Sequence, residues 1–262
     1  MNFVYGPVRS WRLGRSIGID PICMEPKVCT FNCIYCQLGS RGIVTEERSA
    51  FVRENEVKEQ LSSLLDKRIK ADVITFSGTG EPTLASNLGC LITMINEMTD
   101  LPTAILTNSS LFQYPDVRNA VRPFDIVVAK LDASCESTFR KVNRPHSSID
   151  FQKNLLGIEA MRKEFEGSFR LQLMFVRENI DEAEGLAEIC DKIGPDLVYL
   201  NTPLRPSMTR PLGKREMRSI QQSFGRFRVR MVYVRDDLNA LKTPQGAEGN
   251  SARRDAPLIR FE

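Results

Sequence analysis

Six short apolar runs, at 15–20, 72–77, 103–107, 125–131, 169–176 and 197–201, recur along this chain with helix-length amphipathic stretches between them. Each run is rich in Val, Ile, Leu or Phe and is bounded by Gly, Pro, Asn or Asp, the pattern of a strand and its turns. The run Asp125-Ile-Val-Val-Ala-Lys-Leu131 is almost continuously apolar, which suits a parallel strand covered on both faces. Between the runs, 52–68 places Val57, Leu61, Leu64 and Leu65 on one helical face, and 84–98, 149–165 and 180–193 behave likewise. A shorter and more basic helix is expected over 214–224. Such alternation predicts an α/β fold with a parallel sheet and right-handed crossovers. Six units are too few to close an eight-stranded barrel, so a partial (β/α)6 barrel is expected over 1–206. A small extension over 207–262 is expected to pack on or beside it. There, 226–235 alternates Arg with apolar residues as a half-buried edge strand does, and 243–255 has the composition of a loop or partner-ordered tail. Chemistry in parallel α/β folds gathers at the carboxyl ends of strands, so the residues after each run are the ones to inspect.

Cysteine usage narrows the chemistry. The chain has 7 cysteines: Cys23, Cys29, Cys33, Cys36, Cys90, Cys135 and Cys190. An odd, uneven set argues against a disulfide framework and toward metal or redox chemistry. With 42% apolar and 26% charged residues, a core is available without disulfides. No apolar run reaches transmembrane length and the first residues lack a secretory pattern, so a cytoplasmic protein without membrane contact is expected. Cys90 and Cys190, in apolar helical stretches, read as small buried residues. The net charge of +3 is unevenly placed: residues 205–262 hold 13 Lys/Arg against 6 Asp/Glu. A basic end can dock an anionic partner, or simply form a solvated face.

The segment Cys29-Thr-Phe-Asn-Cys33-Ile-Tyr-Cys36 follows the first run on a polar loop. Thiolates are soft ligands that suit iron–sulfur clusters and zinc. Three of them at this spacing can hold a cubane cluster and leave one iron open, as catalysis needs. A structural zinc site normally has two separated ligand pairs, and no second C-x2-C pair exists, although Cys23 could supply a fourth sulfur. After the second run comes Ser77-Gly78-Thr79-Gly80-Glu81-Pro-Thr-Leu84. Its glycines let backbone approach a ligand closely, and Glu81 can accept hydrogen bonds from an ammonium group.

At these residues the chain resembles the radical S-adenosylmethionine (SAM) superfamily, whose signature is this three-cysteine spacing with an aromatic residue, here Tyr35, before the last cysteine. The resemblance implies that Cys29, Cys33 and Cys36 hold a [4Fe–4S] cluster. SAM would chelate the open iron through its amino and carboxylate groups, and a one-electron donor of flavodoxin or ferredoxin type would be needed. It also implies that Gly78, Thr79, Gly80 and Glu81 hold the SAM amino group, with Tyr35 among the cofactor contacts. Other strand ends fit more loosely. Asn108 and Ser109 could bind ribose or the SAM carboxylate, or cap a helix. Asp132 could bind ribose hydroxyls and Lys130 a carboxylate, or the two could form an ion pair. Gln172 and Arg177 flank the fifth run. Arg205 suits an anionic substrate, and His146, the only histidine, is either a surface residue or an acid–base or substrate contact.

The likeness extends to a branch grouped with wyosine-type tRNA-modifying synthases. It rests on the stretch from Gly6 to Asp20, on Cys36-Gln-Leu-Gly39, on Asn143-Arg-Pro-His146 and on Asn201-Thr-Pro-Leu-Arg-Pro206. Those synthases carry upstream cysteines for a second cluster, whereas only Cys23 lies upstream here, so their reaction does not transfer. The leading expectation is a radical SAM enzyme acting on RNA or on a protein or peptide. The alternative is an enzyme of small-molecule cofactor biosynthesis. From another class, a non-catalytic iron–sulfur electron carrier or zinc scaffold predicts no SAM binding.

Overall fold

The β-branched run Val73–Phe76 is buried at every position, and this strand sits inside an eight-stranded sheet. The computed structural model describes residues 1–233. The sheet order is β1(Val4–Ser10), β2(Gly14–Ile19), β5(Val73–Phe76), β6(Thr103–Thr107), β7(Ile126–Lys130), β8(Ser168–Met174), β9(Leu197–Asn201), β10(Val229–Met231). All neighbours are parallel except β1 and β2. The sheet curls into an open half-barrel, the α/β architecture expected. A small parallel pair, β3(Lys27–Cys29) with β4(Gly42–Val44), carries Cys29, the first of the three-cysteine loop.

Seven α-helices are described: α1(Glu54–Leu65), α2(Leu88–Met98), α3(Pro115–Val121), α4(Glu136–Val142), α5(Phe151–Glu164), α6(Ala183–Ile193) and α7(Lys214–Ser223). Alternate strand residues such as Ile17, Phe76, Val127 and Leu171 share one core with Val57, Leu88, Ile158 and Leu186 of the helices. Each such side chain contributes ~1.5–3 kcal/mol on burial. Asp150 caps α5, its carboxylate accepting the Lys153 N–H at 2.8 Å, and Gly194 ends α6 at φ 65°, where a side chain would be strained.

The six expected strands are all present. The strand β1 was not anticipated, since its Gly6, Pro7 and Arg9 mask the alternation, and the short α3 and α4 were also missed. The expected helix over 84–98 begins only at Leu88, because Pro82–Leu84 forms a separate 3-10 turn. Cys90 is a correction: it is exposed on α2, whereas Cys190 is buried as expected. The basic helix α7 and the edge strand β10 continue the same fold, β10 pairing with β9. The rest of the expected edge strand and the 243–255 tail lie outside the described residues.

The other face of the sheet is concave, and no helix of the described residues packs on it. Register places Lys130, Gln172, Tyr199 and Arg230 on one rung of that face. The β1–β2 turn folds beneath it, and Trp11 packs edge-on against Tyr199 with ring centroids 5.4 Å apart.

Candidate active site

The cysteine loop is seated on the segment after α4. Asn32 N–H donates to the carbonyls of Asn143 and Arg144 at 3.1 and 3.0 Å, Ile34 N–H to Val142 at 3.0 Å, and His146 N–H to Thr30 at 2.8 Å. Cys33 is buried, while Cys29 and Cys36 are partly exposed. Burial, reinforced by Glu81 and Cys33, pushes the Cys29 thiol far above the ordinary thiol range. Burial also holds Cys33 up at about 11, against the pull of Lys130. Ligation of a metal must displace these protons.

Two side-chain amides point at the sulfurs. Asn108 Nδ2 lies 3.6 Å from Cys29 Sγ, and Asn143 Nδ2 lies 3.7 Å from Cys33 Sγ. Thiols on one loop, two of them facing an amide donor, form a soft donor set of the kind an iron–sulfur cluster takes. Among the described residues no three His, Cys, Asp or Glu side chains converge on a single-ion position. Cys23 Sγ instead lies 3.7 Å from the carbonyl of Asn2.

The Gly-rich turn sits against the first cysteine. Gly80 bridges to Val28, the residue before Cys29, and a Cβ at Gly80 would stand 1.8 Å from the Val28 carbonyl oxygen. Asp20, fully buried at the end of β2, ties the segment that follows β2 to the Gly-rich turn. Its carboxylate accepts N–H bonds from Ile22 at 3.1 Å, Cys23 at 2.9 Å and Thr79 at 2.9 Å. Asp20 was not anticipated, although its place directly after a predicted strand was the available signal.

Glu81 faces inward. It is 2% exposed, and its carboxylate accepts Thr83 N–H at 3.0 Å, Thr83 Oγ1 at 2.7 Å, Thr107 Oγ1 at 2.6 Å and Asn108 N–H at 2.7 Å. Burial raises its pKa although these donors oppose the shift. In this arrangement Glu81 joins the ends of β5 and β6. Ser109 is also fully buried, at φ 70°, with its hydroxyl unpartnered. Gly78 and Thr79 are partly exposed.

A second group stands at the ends of β7 and β8. Asp132 Oδ2 accepts from Tyr35 Oη and from Asn143 Nδ2 at 2.8 Å, and Lys130 Nζ lies 3.5 Å away. Its Oδ1 accepts Met174 N–H at 2.8 Å. Lys130 Nζ also lies 4.6 Å from the centroid of the Tyr35 ring. Burial, then the charge of Asp132, raises the Tyr35 pKa well above the usual phenol value. The ion pair weighed from the sequence is therefore present, in a buried network that reaches Cys33 through Asn143. His146 is partly exposed and bonded to Ser148 Oγ at 2.7 Å. Arg205 Nη1 donates to Gln37 Oε1 at 2.7 Å, next to Cys36. Asn143 was missed as a site residue because attention within 143–146 fell on the histidine.

Several known proteins are similar to this chain in sequence or in fold. A UPF0026 protein of Synechocystis is 38% identical over 204 residues, covering 78% of this chain and 76% of that protein. The fold is similar to Streptococcus suis SuiB bound to S-adenosylmethionine, at a TM-score of 0.61 and 14% identity, over 79% of this chain and 48% of SuiB. It is also similar to archaeal TYW1, at a TM-score of 0.55 and 16% identity, over 82% of this chain and 72% of TYW1. This chain thus spans about half of SuiB. Residues 26–190 match the Radical SAM superfamily, a stretch running from the cysteine loop through the Gly-rich turn to α6, and the chain is an enzyme of that superfamily.

Proposed function

We propose that this enzyme binds a [4Fe–4S] cluster on Cys29, Cys33 and Cys36 and cleaves SAM reductively to act on a macromolecule, RNA or a peptide segment of a protein. The observation that carries the reading is the meeting of the three-cysteine loop with the Gly-rich turn, through the Val28–Gly80 bridge and the Glu81 N–H that donates to the Val28 carbonyl at 3.1 Å. When bound, the cluster would supply one electron to break a carbon–sulfur bond of SAM and so yield a 5′-deoxyadenosyl radical.

The protein's own residues then have separable tasks. Asn108 and Asn143 donate toward the cysteine sulfurs. Gly78 and Thr79, partly exposed beside Cys29, present backbone to the SAM amino group, and Glu81 holds that turn to the end of β6. Lys130, already balanced by Asp132, offers its ammonium over Tyr35 to the SAM carboxylate. The open side of the half-barrel admits a large substrate, and a flavodoxin- or ferredoxin-type protein is the proposed electron source. No helix among the described residues is long and apolar enough to cross a membrane.

The test is anaerobic. Protein reconstituted with iron and sulfide is given SAM and dithionite, and 5′-deoxyadenosine is measured. Production that disappears in Cys33→Ala, together with the cluster absorbance, is the expected result. Full cluster absorbance in that variant would overturn the ligand assignment. A loaded cluster that binds no SAM would return the electron-carrier reading.

A further inference from the structure

The concave face carries a group of cations that the radical chemistry leaves without a task. Arg170 Nη1 donates to Tyr199 Oη at 2.8 Å, and that hydroxyl donates to the carbonyl of Arg12 at 2.9 Å. Arg230, on the same rung as Tyr199, brings Nη1 within 3.4 Å of the same carbonyl. Arg12 belongs to the β1–β2 turn, with its guanidinium 5.2 Å from the Trp11 ring centroid. Its Nε is buried and has no hydrogen-bond partner. Burial lowers the Arg12 pKa to about 10, partly offset by Tyr199, with Arg205 adding repulsion.

Among the described residues, none of Arg12, Arg170 and Arg230 lies within ion-pair distance of a carboxylate. The concave positions of β5 to β10 hold no Asp or Glu either. The repulsion between Arg205 and Arg12 and the buried orphan N–H both cost stability. Such a cost is expected where a ligand supplies the missing acceptor, and perturbed groups of this kind collect at functional sites. A guanidinium fork matches the oxygens of phosphate or carboxylate. Three guanidinium groups without a carboxylate at ion-pair distance among the described residues exceed what one carboxylate offsets, whereas a phosphate monoester carries about −1.5 to −2 at neutral pH and an RNA backbone sets one charge on each successive diester.

We propose that Arg12, Arg170 and Arg230 form a phosphate-binding site on the concave face that holds a phosphate group of the substrate. It rests on the radical SAM reading only in calling the bound molecule the substrate; the site itself stands on the arginines. Arg205, bonded to Gln37 beside Cys36, places the cysteine loop near the same charge cluster.

The cluster-loaded full chain, saturated with SAM and kept anaerobic, is titrated with uridine 5′-monophosphate, with a uridine hexaribonucleotide lacking terminal phosphates, and with an acidic peptide. Binding of a phosphate ligand in preference to the peptide is expected. Tighter binding of the hexamer assigns the phosphate to an RNA backbone, and tighter binding of the monophosphate assigns it to a free nucleotide. Arg12→Gln should weaken the phosphate ligand about tenfold or more, the loss of a charge-assisted bond. Arg230→Gln, at an exposed position on the edge strand, should weaken it about threefold or more and guards against misfolding of the first variant. The proposal is overturned if neither phosphate ligand binds, if the peptide binds more tightly, or if both variants bind as the parent does. It is also overturned if Arg12→Gln loses more affinity for SAM than for phosphate. The yield of 5′-deoxyadenosine is read separately. Phosphate binding without SAM cleavage removes the radical reading and leaves the site, and the reverse removes the site alone.

Discussion

Asn108, just after β6, and Asn143, at the end of α4, approach different sulfurs, and each amide is held by further bonds. Asn108 Nδ2 also reaches Thr30 Oγ1 at 2.6 Å, and Asn143 Nδ2 reaches Tyr35 Oη at 3.0 Å. Hydrogen bonds to cluster sulfurs favour the reduced state by stabilising added negative charge. Asn108→Ala and Asn143→Ala should each retain a cluster and lower its reduction potential, by about 40 mV if the bond is worth ~1 kcal/mol. A redox titration followed by electron paramagnetic resonance measures this, and an unmoved potential refutes the role. Glu81 makes a different case. Read from the sequence, its carboxylate is available to the SAM ammonium; folded, it has four donors of its own. Glu81→Ala leaves those donors buried and should reduce unfolding free energy by about 2–4 kcal/mol. Urea denaturation of the cluster-free protein tests it, and an unchanged midpoint would remove the clamp assignment.

At the scale of elements, β2 is placed by contacts at both of its ends. At its start, Asp72 accepts from Arg15 N at 2.7 Å, Nε at 3.2 Å and Nη2 at 2.7 Å. These bonds hold the Asp72 carboxyl down at about 2. A depressed folded-state value means the contribution is complete above the ordinary carboxylate pKa near ~3.9 and is lost as pH falls toward about 2. Both side chains are nearly half exposed, so solvent keeps the effect small. Asp72→Asn should therefore narrow its stability gap from the parent between pH 5 and pH 2.5 in urea melts; a gap independent of pH contradicts the assignment. At the other end, Asp20 accepts the Thr79 N–H at 2.9 Å, and next to it Gly80 lets the β5 loop touch β3. Gly80→Ala forces a Cβ onto the Val28 carbonyl oxygen and should reduce cluster loading at fixed iron and sulfide while Cys90→Ser, exposed on α2, does not. Equal iron content in the two variants would show that the contact is dispensable.

For the molecule as a whole, the half-barrel needs a floor, and Trp11 supplies it. The ring is 8% exposed and packs with Val128, Leu197 and Tyr199 on the concave face. Trp11→Ala should cost about 3–5 kcal/mol, measured by urea unfolding, and a loss below about 1 kcal/mol would mean the turn is not part of the core. The local periodicities of Val, Ile and Leu determined the six strands, most helices and the parallel sheet, because burial of one face imposes a spacing that survives in one dimension. The C-x3-C-x2-C loop and the Gly-rich turn were legible for the same reason, each being a short stretch whose spacing is its chemistry. Which carboxylates are spoken for was not legible. Glu81 accepts from Thr107, 26 positions away, and Asp132, beyond the Lys130 pairing weighed from the sequence, accepts from Tyr35, 97 positions away. The approach of Arg170, through Tyr199, and of Arg230 to the Arg12 carbonyl likewise needed a turn, a strand and an edge strand brought to one concave face. Sequence alone settled the pattern of burial and the sulfur ligand spacing; only the tertiary structure decided which polar groups are satisfied and which still lack a partner, since hydrogen bonds between distant strand ends leave no periodic trace.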